Sequence, residues 1–378
     1  MLPLRYNINS ILLRRLTSIS VIFGIGMFVF IITLILMFRS GIQNTMTQSS
    51  SPEDIIILSM GASNEMSSFI RPEKIDRLLS QPQIETKADI REFVIIKLFK
   101  RLGQESGGNI LIRGVPENVF DFRPEVNISQ GRAPLAGQKE VIIGKRVSER
   151  FDNMKLGDVI EMGNKQFVEV VGIFEYENSS LESEIWGDID VIRTMFGREG
   201  VISSVRLKLN GEKTTFIQLE DMVRDGGLDL VVFRESDFLN SQATKPKQFV
   251  AMIGFFFAVF ISIASVIGTS TMMNTSVANR KQEVVMLRNI GFSTRSILLS
   301  FLIEPLLLGL IGSILGLLLS LSLTTFKLSI MNVGTWSQLV VGFKMTPETI
   351  IYSLIAGAII GLAGGIFPAL KTLKFSHS

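Results

Sequence analysis

Residues 274–296 read NTSVANRKQEVVMLRNIGFSTRS, a charged segment that separates two long hydrophobic runs. The runs cover residues 249–273 and 297–326, and each is long enough to cross a hydrocarbon core of about 30 Å at about 1.5 Å per helical residue. A charged segment between two such runs cannot lie in the hydrocarbon core. It is therefore predicted to be a loop at a membrane surface.

The loop carries an amphipathic pattern. Read as one helix, Val277 to Ile290 places four apolar residues near one face, namely Val277, Val284, Leu287 and Ile290, and the charged residues on others. Gly291 is expected to stop this helix, and Ser293 or Thr294 is expected to cap the next one. The predicted order is helix, glycine, cap, helix. Taken alone, this pattern is typical of a solvated cytoplasmic hairpin.

The stretch RKQEVVMLRNIGFSTRSILLSFLIEPLLLGLIGSILG, residues 280–316, resembles the segment between the second and third spans of the MacB/FtsX/LolC-LolE permease family of ABC transporters. In that family this segment docks on the ATPase. The resemblance implies an ATPase-docking role for five residues, namely Val277, Glu283, Leu287, Arg288 and Gly291.

Composition bounds the class of protein. The 378 residues are 47% hydrophobic and 19% charged, with a mean hydropathy of +0.38, so both membrane and soluble parts are expected. The net charge of +3 gives little support for nucleic-acid binding. The absence of cysteine excludes disulfides, and the only histidine, His377, lies in the C-terminal tail. We assign no catalytic residue, no metal site and no cofactor to this chain.

The fold class predicted is membrane α-helical, with four transmembrane helices and a large inserted extracytoplasmic α+β domain. The first span ends near Arg39, and a polar stretch after it is either a linker or a continuation of the helix. The predicted boundaries are 1–39 for a surface helix and the first span, 40–248 for the extracytoplasmic domain, 249–273 for the second span, 274–296 for the docking loop, 297–326 for the third span, 327–348 for an external loop, 349–370 for the fourth span and 371–378 for a cytoplasmic tail.

The extracytoplasmic domain alternates β-rich and helical runs. Part of it resembles the periplasmic core domain of MacB-like permeases, through Gly131-Arg132, the EVIIGK run 140–145, the turn 156–158 and the VVGIF run 170–174. Strands are predicted at 55–58, 93–99, 110–115, 141–144, 167–174, 201–209 and 228–233, and helices at 72–79, 146–151 and 216–223.

Two features of the domain invite a chemical interpretation. Acidic residues concentrate at Glu182, Glu184, Asp188 and Asp190, but no histidine accompanies them, so a solvated acidic loop is predicted rather than a metal site. Gly144-Lys145-Arg146 lacks the spacing of a phosphate-binding loop. Neither feature indicates an enzyme.

The third span contains Glu304 followed by Pro305. A carboxylate in an apolar helix is costly, so we expect it to face a partner helix, water or the loop, with a structural hydrogen-bonding role near the cytoplasmic end. Small residues on spans three and four allow close helix packing, against each other or against a second subunit. They are Gly312, Gly316, Gly357, Gly361 and Gly365.

The chain is expected to be a multi-pass protein of the bacterial inner membrane. Positive charges next to the spans place both termini and the docking loop in the cytoplasm. The resemblance implies a permease subunit without a fused ATPase, which needs a separate ABC ATPase that binds ATP and Mg²⁺. A second permease, a membrane-fusion protein and membrane lipid are the other expected partners. Lipoproteins, peptides or hydrophobic compounds are the expected cargo. Two alternatives stay open: an FtsX-like regulator of a cell-wall hydrolase, and a membrane scaffold without an ATPase.

Overall fold

The computed structural model describes residues 15–47, 53–176, 179–210, 215–332 and 337–371. Its helices are α1 Arg15–Thr47, α2 Pro72–Leu79, α3 Val119–Phe122, α4 Lys145–Ser148, α5 Ile189–Met195, α6 Phe216–Asp225, α7 Glu235–Asn279, α8 Lys281–Asn289, α9 Thr294–Leu321 and α10 Pro347–Lys371. Its strands are β1 Asp54–Ser59, β2 Thr86–Lys100, β3 Gly107–Val115, β4 Asn127–Gly131, β5 Glu140–Gly144, β6 Val159–Glu161, β7 Phe167–Glu175, β8 Glu184–Asp188, β9 Ser204–Leu209, β10 Leu230–Arg234, β11 Lys327–Met331 and β12 Gln338–Gly342.

The chain divides into two compact units. The helical unit combines Met1–Gly41, Gln248–Lys327 and Gly342–Ser378, and the sheet unit combines Ile42–Lys247 with Leu328–Val341. The segment between the third and fourth spans, predicted as an external loop, is thus mostly part of the sheet unit. There it forms a hairpin of β11 and β12.

Four of the described helices, α1, α7, α9 and α10, are long and apolar enough to cross a membrane. They pack closely because small residues face neighbouring backbones: a Cβ added at Gly316 of α9 would lie 2.6 Å from the Gly26 carbonyl oxygen of α1. A Cβ added at Gly361 of α10 would lie even closer to the Pro305 carbonyl oxygen of α9. A hydrogen bond of 2.8 Å between the Thr33 and Ser353 hydroxyls joins α1 to α10.

The helix ends differ from the predicted span boundaries. Helix α1 runs to Thr47, so the first part of the polar stretch after Arg39 continues the helix. Helix α7 already begins at Glu235, and its polar first part was predicted to belong to the extracytoplasmic domain. Polar residues continue both helices beyond the apolar runs. The apolar run marks the part that can cross a membrane, and the helix itself can be longer.

Within the described residues, ten strands form one sheet in the order β10-β1-β9-β2-β3-β8-β5-β7-β4, with β6 paired to β7. Most pairs are antiparallel, whereas β3–β8 and β5–β7 are parallel. The long strand β2 joins two halves of the sheet: residues 86–92 pair with β9 and residues 93–100 pair with β3. Valine and isoleucine side chains alternate along the strands and fill hydrophobic cores on the sheet faces.

Each predicted strand of the domain corresponds to an observed strand, although the predicted 201–209 strand begins only at Ser204. Strands β4, β6 and β8 were not predicted. They are short, and β8 contains glutamate, glycine and aspartate, which are unusual in strands.

Candidate functional site

The connection between α7 and α9, residues Arg280–Ser293, is where the sequence predicts ATPase docking. The structure contradicts the prediction of one helix from Val277 to Ile290, because the helix breaks at Arg280. Val277 therefore lies in the last turn of α7, and α8 is a separate short helix. Gly291 ends this turn with φ +98°, a conformation that favours glycine, and the Ser293 hydroxyl caps α9 by accepting from the Ser296 amide.

The break at Arg280 coincides with a buried ion pair. The Arg280 Nη1 lies 3.2 Å from Glu304 Oε2, and its Nε lies 3.0 Å from Glu283 Oε2. The guanidinium also stands over the Phe301 ring, 4.6 Å from its centroid. Glu304 is fully buried in α9 and faces the connection rather than lipid. The ionisable partner of Glu304 comes from the loop, where the span sequence did not show it.

The docking residues predicted from the sequence divide into two groups. Val277 is buried in the helical unit, and Leu287 packs against the same core. Glu283 binds Arg280, Arg288 donates to the Thr294 hydroxyl at 2.9 Å, and Gly291 forms the turn. Val277 and Leu287 pack against the core of the helical unit and so anchor the connection.

Three apolar residues of the connection that were not among the predicted docking residues are exposed. They are Met286 at 61% exposure, Ile290 at 63% and Phe292 at 36%. Met286 and Ile290 are four residues apart and share a helix face, and Phe292 follows directly after the Gly291 turn. We call these three residues the docking face.

The sheet unit holds a second site, an ionic cluster of buried side chains. Its members are Glu65, Glu92, Arg113, Arg123, Glu184, Arg206 and Glu235. The cluster lies where β2 changes its partner from β9 to β3, since Glu92 is on β2, Arg206 on β9 and Arg113 on β3. Glu235, the first residue of α7, joins the long helix to this cluster.

The two central arginines bind several carboxylates each. Arg113 holds Glu184 with two hydrogen bonds of 2.8 Å and reaches Glu65 and Glu92, each at 2.9 Å. Arg206 binds Glu235 at 2.6 Å and also contacts Glu65 and Glu92. Arg123 adds a contact of 3.2 Å to the same oxygen of Glu235. Such shared, forked contacts fix the geometry of the carboxylates.

Opposite charges favour the ionised forms of Glu65 and Arg113. Burial alone would raise the pKa of Glu65, but the guanidinium groups of Arg113 and Arg206 outweigh it and hold this pKa well below its usual range. Burial alone would lower the pKa of Arg113, but the carboxylates of Glu184 and Glu65 raise it well above its usual value. A cavity of about 60 Å³ adjoins the cluster and is lined by Glu65, Arg113 and Glu235 among others.

The prediction of a solvated acidic loop is wrong for two of its four residues. Glu184 is buried against Arg113, and Glu182 is buried against Arg146 at 2.9 Å. Asp188 caps α5, and Asp190 is exposed next to Arg193. Within the described residues, no group of three or more acidic, cysteine or histidine side chains could hold a metal ion.

The β11–β12 hairpin is bound to the sheet unit by arginines. Arg146 donates to the Val340 carbonyl, and Arg150 donates to the Ser329 hydroxyl at 2.9 Å. Arg146 belongs to the Gly144-Lys145-Arg146 run. Its buried side chain therefore has a structural role.

Family models match both parts of the chain. The model of the MacB-like periplasmic core domain matches residues 16–225, more than half of the chain. The model of the FtsX-like permease C-terminal domain matches residues 255–376. The two matches lie in the order that the sequence resemblance implies.

Several curated proteins are similar along the chain. The uncharacterised ABC transporter permease YknZ of Bacillus subtilis is 23% identical over 410 residues, which cover 98% of this chain and 96% of YknZ. The macrolide export ATP-binding/permease protein MacB of Acinetobacter baylyi is 25% identical, covering 79% of this chain and 46% of that protein. An uncharacterised ABC transporter permease of Methanocaldococcus jannaschii is 27% identical, covering 60% and 57%. The chain spans about half the length of these last two relatives.

Solved structures of two extracytoplasmic domains also align with the chain. The extracellular domain of YknZ aligns with a TM-score of 0.36 and 19% identity, covering 48% of this chain and 99% of that domain. The periplasmic region of MacB from Actinobacillus actinomycetemcomitans aligns with a TM-score of 0.39 and 14% identity, covering 51% and 94%.

The predicted fold class is confirmed: long apolar helices combine with a large inserted domain of strands and helices. Both matched descriptions are those of permease components, and neither names an enzyme. The spanning helices and the transporter relatives indicate a bacterial inner-membrane protein. The chain belongs to the MacB/FtsX-like family of ABC transporter permeases.

Proposed function

We propose that this chain is the permease subunit that couples ATP hydrolysis by a separate ATPase to movement of its sheet unit. Membership in the family implies a partner ATPase, and that partner would bind the ATP and Mg²⁺. The observation that carries the proposal is the docking face, three exposed apolar side chains on a connection that buried contacts hold in place.

An exposed apolar group on a charged surface segment is typical of a protein interface. Met286, Ile290 and Phe292 fit this description, because Arg280 and Arg288 hold their backbone from both sides. A partner that covers these three side chains would push on α8, and the Arg280–Glu304 pair would pass the load to α9.

Helix α7 supplies the route to the sheet unit. It contains 45 residues, about 68 Å at 1.5 Å per residue, and Pro246 is its one interior proline. Glu235 at its start belongs to the ionic cluster, and Arg280 follows directly after its end. A shift at one end of a continuous helix is felt at the other, so α7 is suited to couple the two sites.

The test is binding of the cognate ATPase. Met286→Asp places a charge in the covered face and is expected to weaken binding by about 2 kcal/mol, roughly 30-fold, and to abolish permease-stimulated ATP hydrolysis. Met60→Asp is the matched control, because Met60 is equally exposed but lies in the sheet unit. Unchanged ATPase binding by Met286→Asp at normal membrane levels would contradict the proposal.

The proposed cargo is a hydrophobic compound, lipoprotein or peptide that is exported. Support comes from the MacB relatives, which are described as macrolide export proteins. Deletion and complementation in a macrolide-sensitive host test this: the wild-type chain with its ATPase should raise resistance, and Met286→Asp should not. Equal resistance for both chains would show that export does not depend on the docking face.

A second permease subunit is also proposed. The most apolar stretch of α7 is only 11% buried, against 33–44% for the other three long helices, so α7 has room for another copy of the chain as well as for lipid. Ile263 is an exposed residue of α7. If two copies meet there, Ile263→Cys should form a disulfide-crosslinked dimer in oxidised membranes. A membrane-fusion partner stays a prediction from the resemblance.

The proposed orientation places the α7–α9 connection in the cytoplasm and the sheet unit outside. The chain has no cysteine, so single cysteines report cleanly. Gln138→Cys in the sheet unit should react with a membrane-impermeant reagent in intact cells, and Gln282→Cys in α8 should not. Both glutamines are exposed, so access through the membrane decides the result. The reverse labelling would invert the topology.

A further inference from the structure

The sheet unit exposes apolar side chains on two adjacent hairpins. On the β2–β3 hairpin they are Leu98 at 64% exposure and Leu102 at 55%. On the β11–β12 hairpin they are Leu328 at 47% and Met331 at 52%. We call these four residues the rim surface. Single exposed apolar residues are ordinary, but here four large apolar side chains are exposed on two hairpins that contact each other.

Direct contacts hold the two hairpins side by side. The Leu102 amide donates to the Arg150 carbonyl at 2.9 Å, and the Arg150 side chain donates to the Ser329 hydroxyl at 2.9 Å. The Gln338 side chain lies against Gly108, where an added Cβ would approach it to 2.7 Å. Leu102 is thereby linked through one residue to Ser329 in the middle of β11.

Chain length ties this surface to the bilayer. The apolar helical segment Thr294–Thr325 contains 32 residues, about 48 Å, which matches the roughly 45 Å of a bilayer with its headgroups. Its last residue therefore lies at headgroup level. Ser329 is four residues further along and cannot be more than about 14 Å from Thr325, whatever the orientation of the sheet unit.

The charges around the rim surface suit the same location. Lys100 and Lys327 are exposed next to its leucines, whereas the ammonium of Lys97, the residue before Leu98, donates to the Glu161 and Met162 carbonyls. The nearby acids include Glu105, Glu161 and Asp152, and Asp152 lies 3.8 Å from the Lys100 ammonium. Apolar side chains bordered by lysines are typical of segments at the membrane interface, where the leucines enter the acyl boundary and the ammonium groups reach the phosphates.

We infer that the rim surface rests on the outer leaflet, so that the sheet unit binds lipid through the β2–β3 hairpin as well as being tethered by its helices. The occupant is the lipid surface itself. The membrane-bound hairpin would fix one edge of the sheet unit while α7 moves another. This inference is independent of ATPase docking and of the cargo.

The test uses the full chain in lipid nanodiscs. Leu98→Cys and Leu102→Cys are labelled with an environment-sensitive fluorophore, and nitroxide-bearing lipids are added. Leu135→Cys is the control, since Leu135 is 57% exposed but lies between β4 and β5. We expect blue-shifted emission at positions 98 and 102 with loss of fluorescence on adding nitroxide lipid, and neither effect at position 135.

Three results would overturn the inference. Emission at positions 98 and 102 that matches position 135 would show a solvated surface. Blue-shifted emission without quenching by the lipid nitroxide would show that protein, such as a second copy, covers the patch. Equal quenching at all three positions would show non-specific contact with lipid. Lys100→Glu adds a second measurement: it should reduce the quenching at position 102 in nanodiscs that contain anionic lipid.

Discussion

The two ends of α7 are held by ion pairs of different construction. At its start, Glu235 belongs to a cluster of three arginines and four glutamates that are almost completely buried. Just after its end, Arg280 has one fully buried partner, Glu304, and one partly exposed partner, Glu283. The first anchor is a branched network, and the second is a short chain of contacts.

This difference teaches which end can change. A branched network of buried charges loses several contacts when one member moves, so it resists small displacements. The Arg280 side chain can exchange Glu283 for solvent and keep Glu304. The sheet unit is therefore expected to move with the start of α7 as one piece, whereas the α7–α9 connection adjusts when a partner docks.

The largest effect is expected from Arg206→Met. Removing this guanidinium leaves Glu235, Glu65 and Glu92 buried with reduced compensation, which should cost about 3–5 kcal/mol of stability. Unfolding of the full chain in detergent measures it. Arg132→Met is the control: Arg132 pairs with Glu140 at the surface, with half of its side chain exposed, and its loss should destabilise the chain far less. Equal effects of the two substitutions would erase the distinction between buried and exposed pairs.

A smaller effect is expected at the Arg280–Glu304 pair. Glu304→Gln keeps hydrogen-bonding capacity and should largely preserve assembly, whereas Glu304→Leu leaves Arg280 without its buried partner and should cost about 2 kcal/mol. Adding Arg280→Met to Glu304→Leu should recover part of that loss, because no buried charge is then left. Detergent-resistant assembly and ATPase stimulation are the measurements.

If Glu304→Gln and Glu304→Leu abolish transport equally while assembly is normal, Glu304 acts as an ionised functional group. That result would contradict the structural role assigned to the pair.

The ionic cluster should make the stability of the chain fall as the pH is lowered. The folded-state pKa of Glu65 is lowered from about 4.5, so its contribution is fully present above that pH and is lost as pH falls toward the folded value. Stability of the full chain should be flat from neutrality to about pH 5.5 and then decline by up to about 1.4 kcal/mol per pH unit for this group. Glu65→Gln should flatten the acid limb. An unchanged acid limb in Glu65→Gln would exclude Glu65 as its source.

The smallest effect is expected for a neutral contact between spans. Thr33→Val removes the 2.8 Å hydrogen bond to Ser353 and keeps the side-chain shape. Hydrogen bonds between membrane helices average about 0.6 kcal/mol, so thermal stability in detergent should change little. A loss comparable with that of Arg206→Met would mean that α1–α10 packing, and not the charged anchors, limits stability.

Much of the fold could be predicted from the sequence. Long apolar runs mark the four spanning helices, and Gly291 and Ser293 mark the turn before α9, because these signals are local. The ionic cluster was missed because its members lie far apart, from Glu65 to Glu235, and meet only when the sheet forms. A signal did exist: Arg113 directly follows the apolar run Ile110–Ile112, Arg206 lies between Val205 and Leu207, and a charge in such a run needs a buried partner.

The helix break at Arg280 was missed for a related reason. The helical pattern extends without interruption through Arg280, and only a contact with Glu304 in another helix shows where the helix breaks. Leu287, which the sequence predicts to dock on the ATPase, is partly buried against the helical core, and its docking role stays a prediction. Such errors are expected wherever a tertiary ion pair decides a helix boundary.

The β11–β12 hairpin has a consequence for biosynthesis. Arg146 and Arg150 leave the ribosome long before Val340 and Ser329, which bind them, and a synthesis rate of about 5–20 residues per second makes that delay on the order of ten seconds or more. The whole of α9 is synthesised between these two arginines and the hairpin. Completion of the sheet unit must therefore wait until α9 has been made, and until then Arg146 and Arg150 cannot form these two contacts.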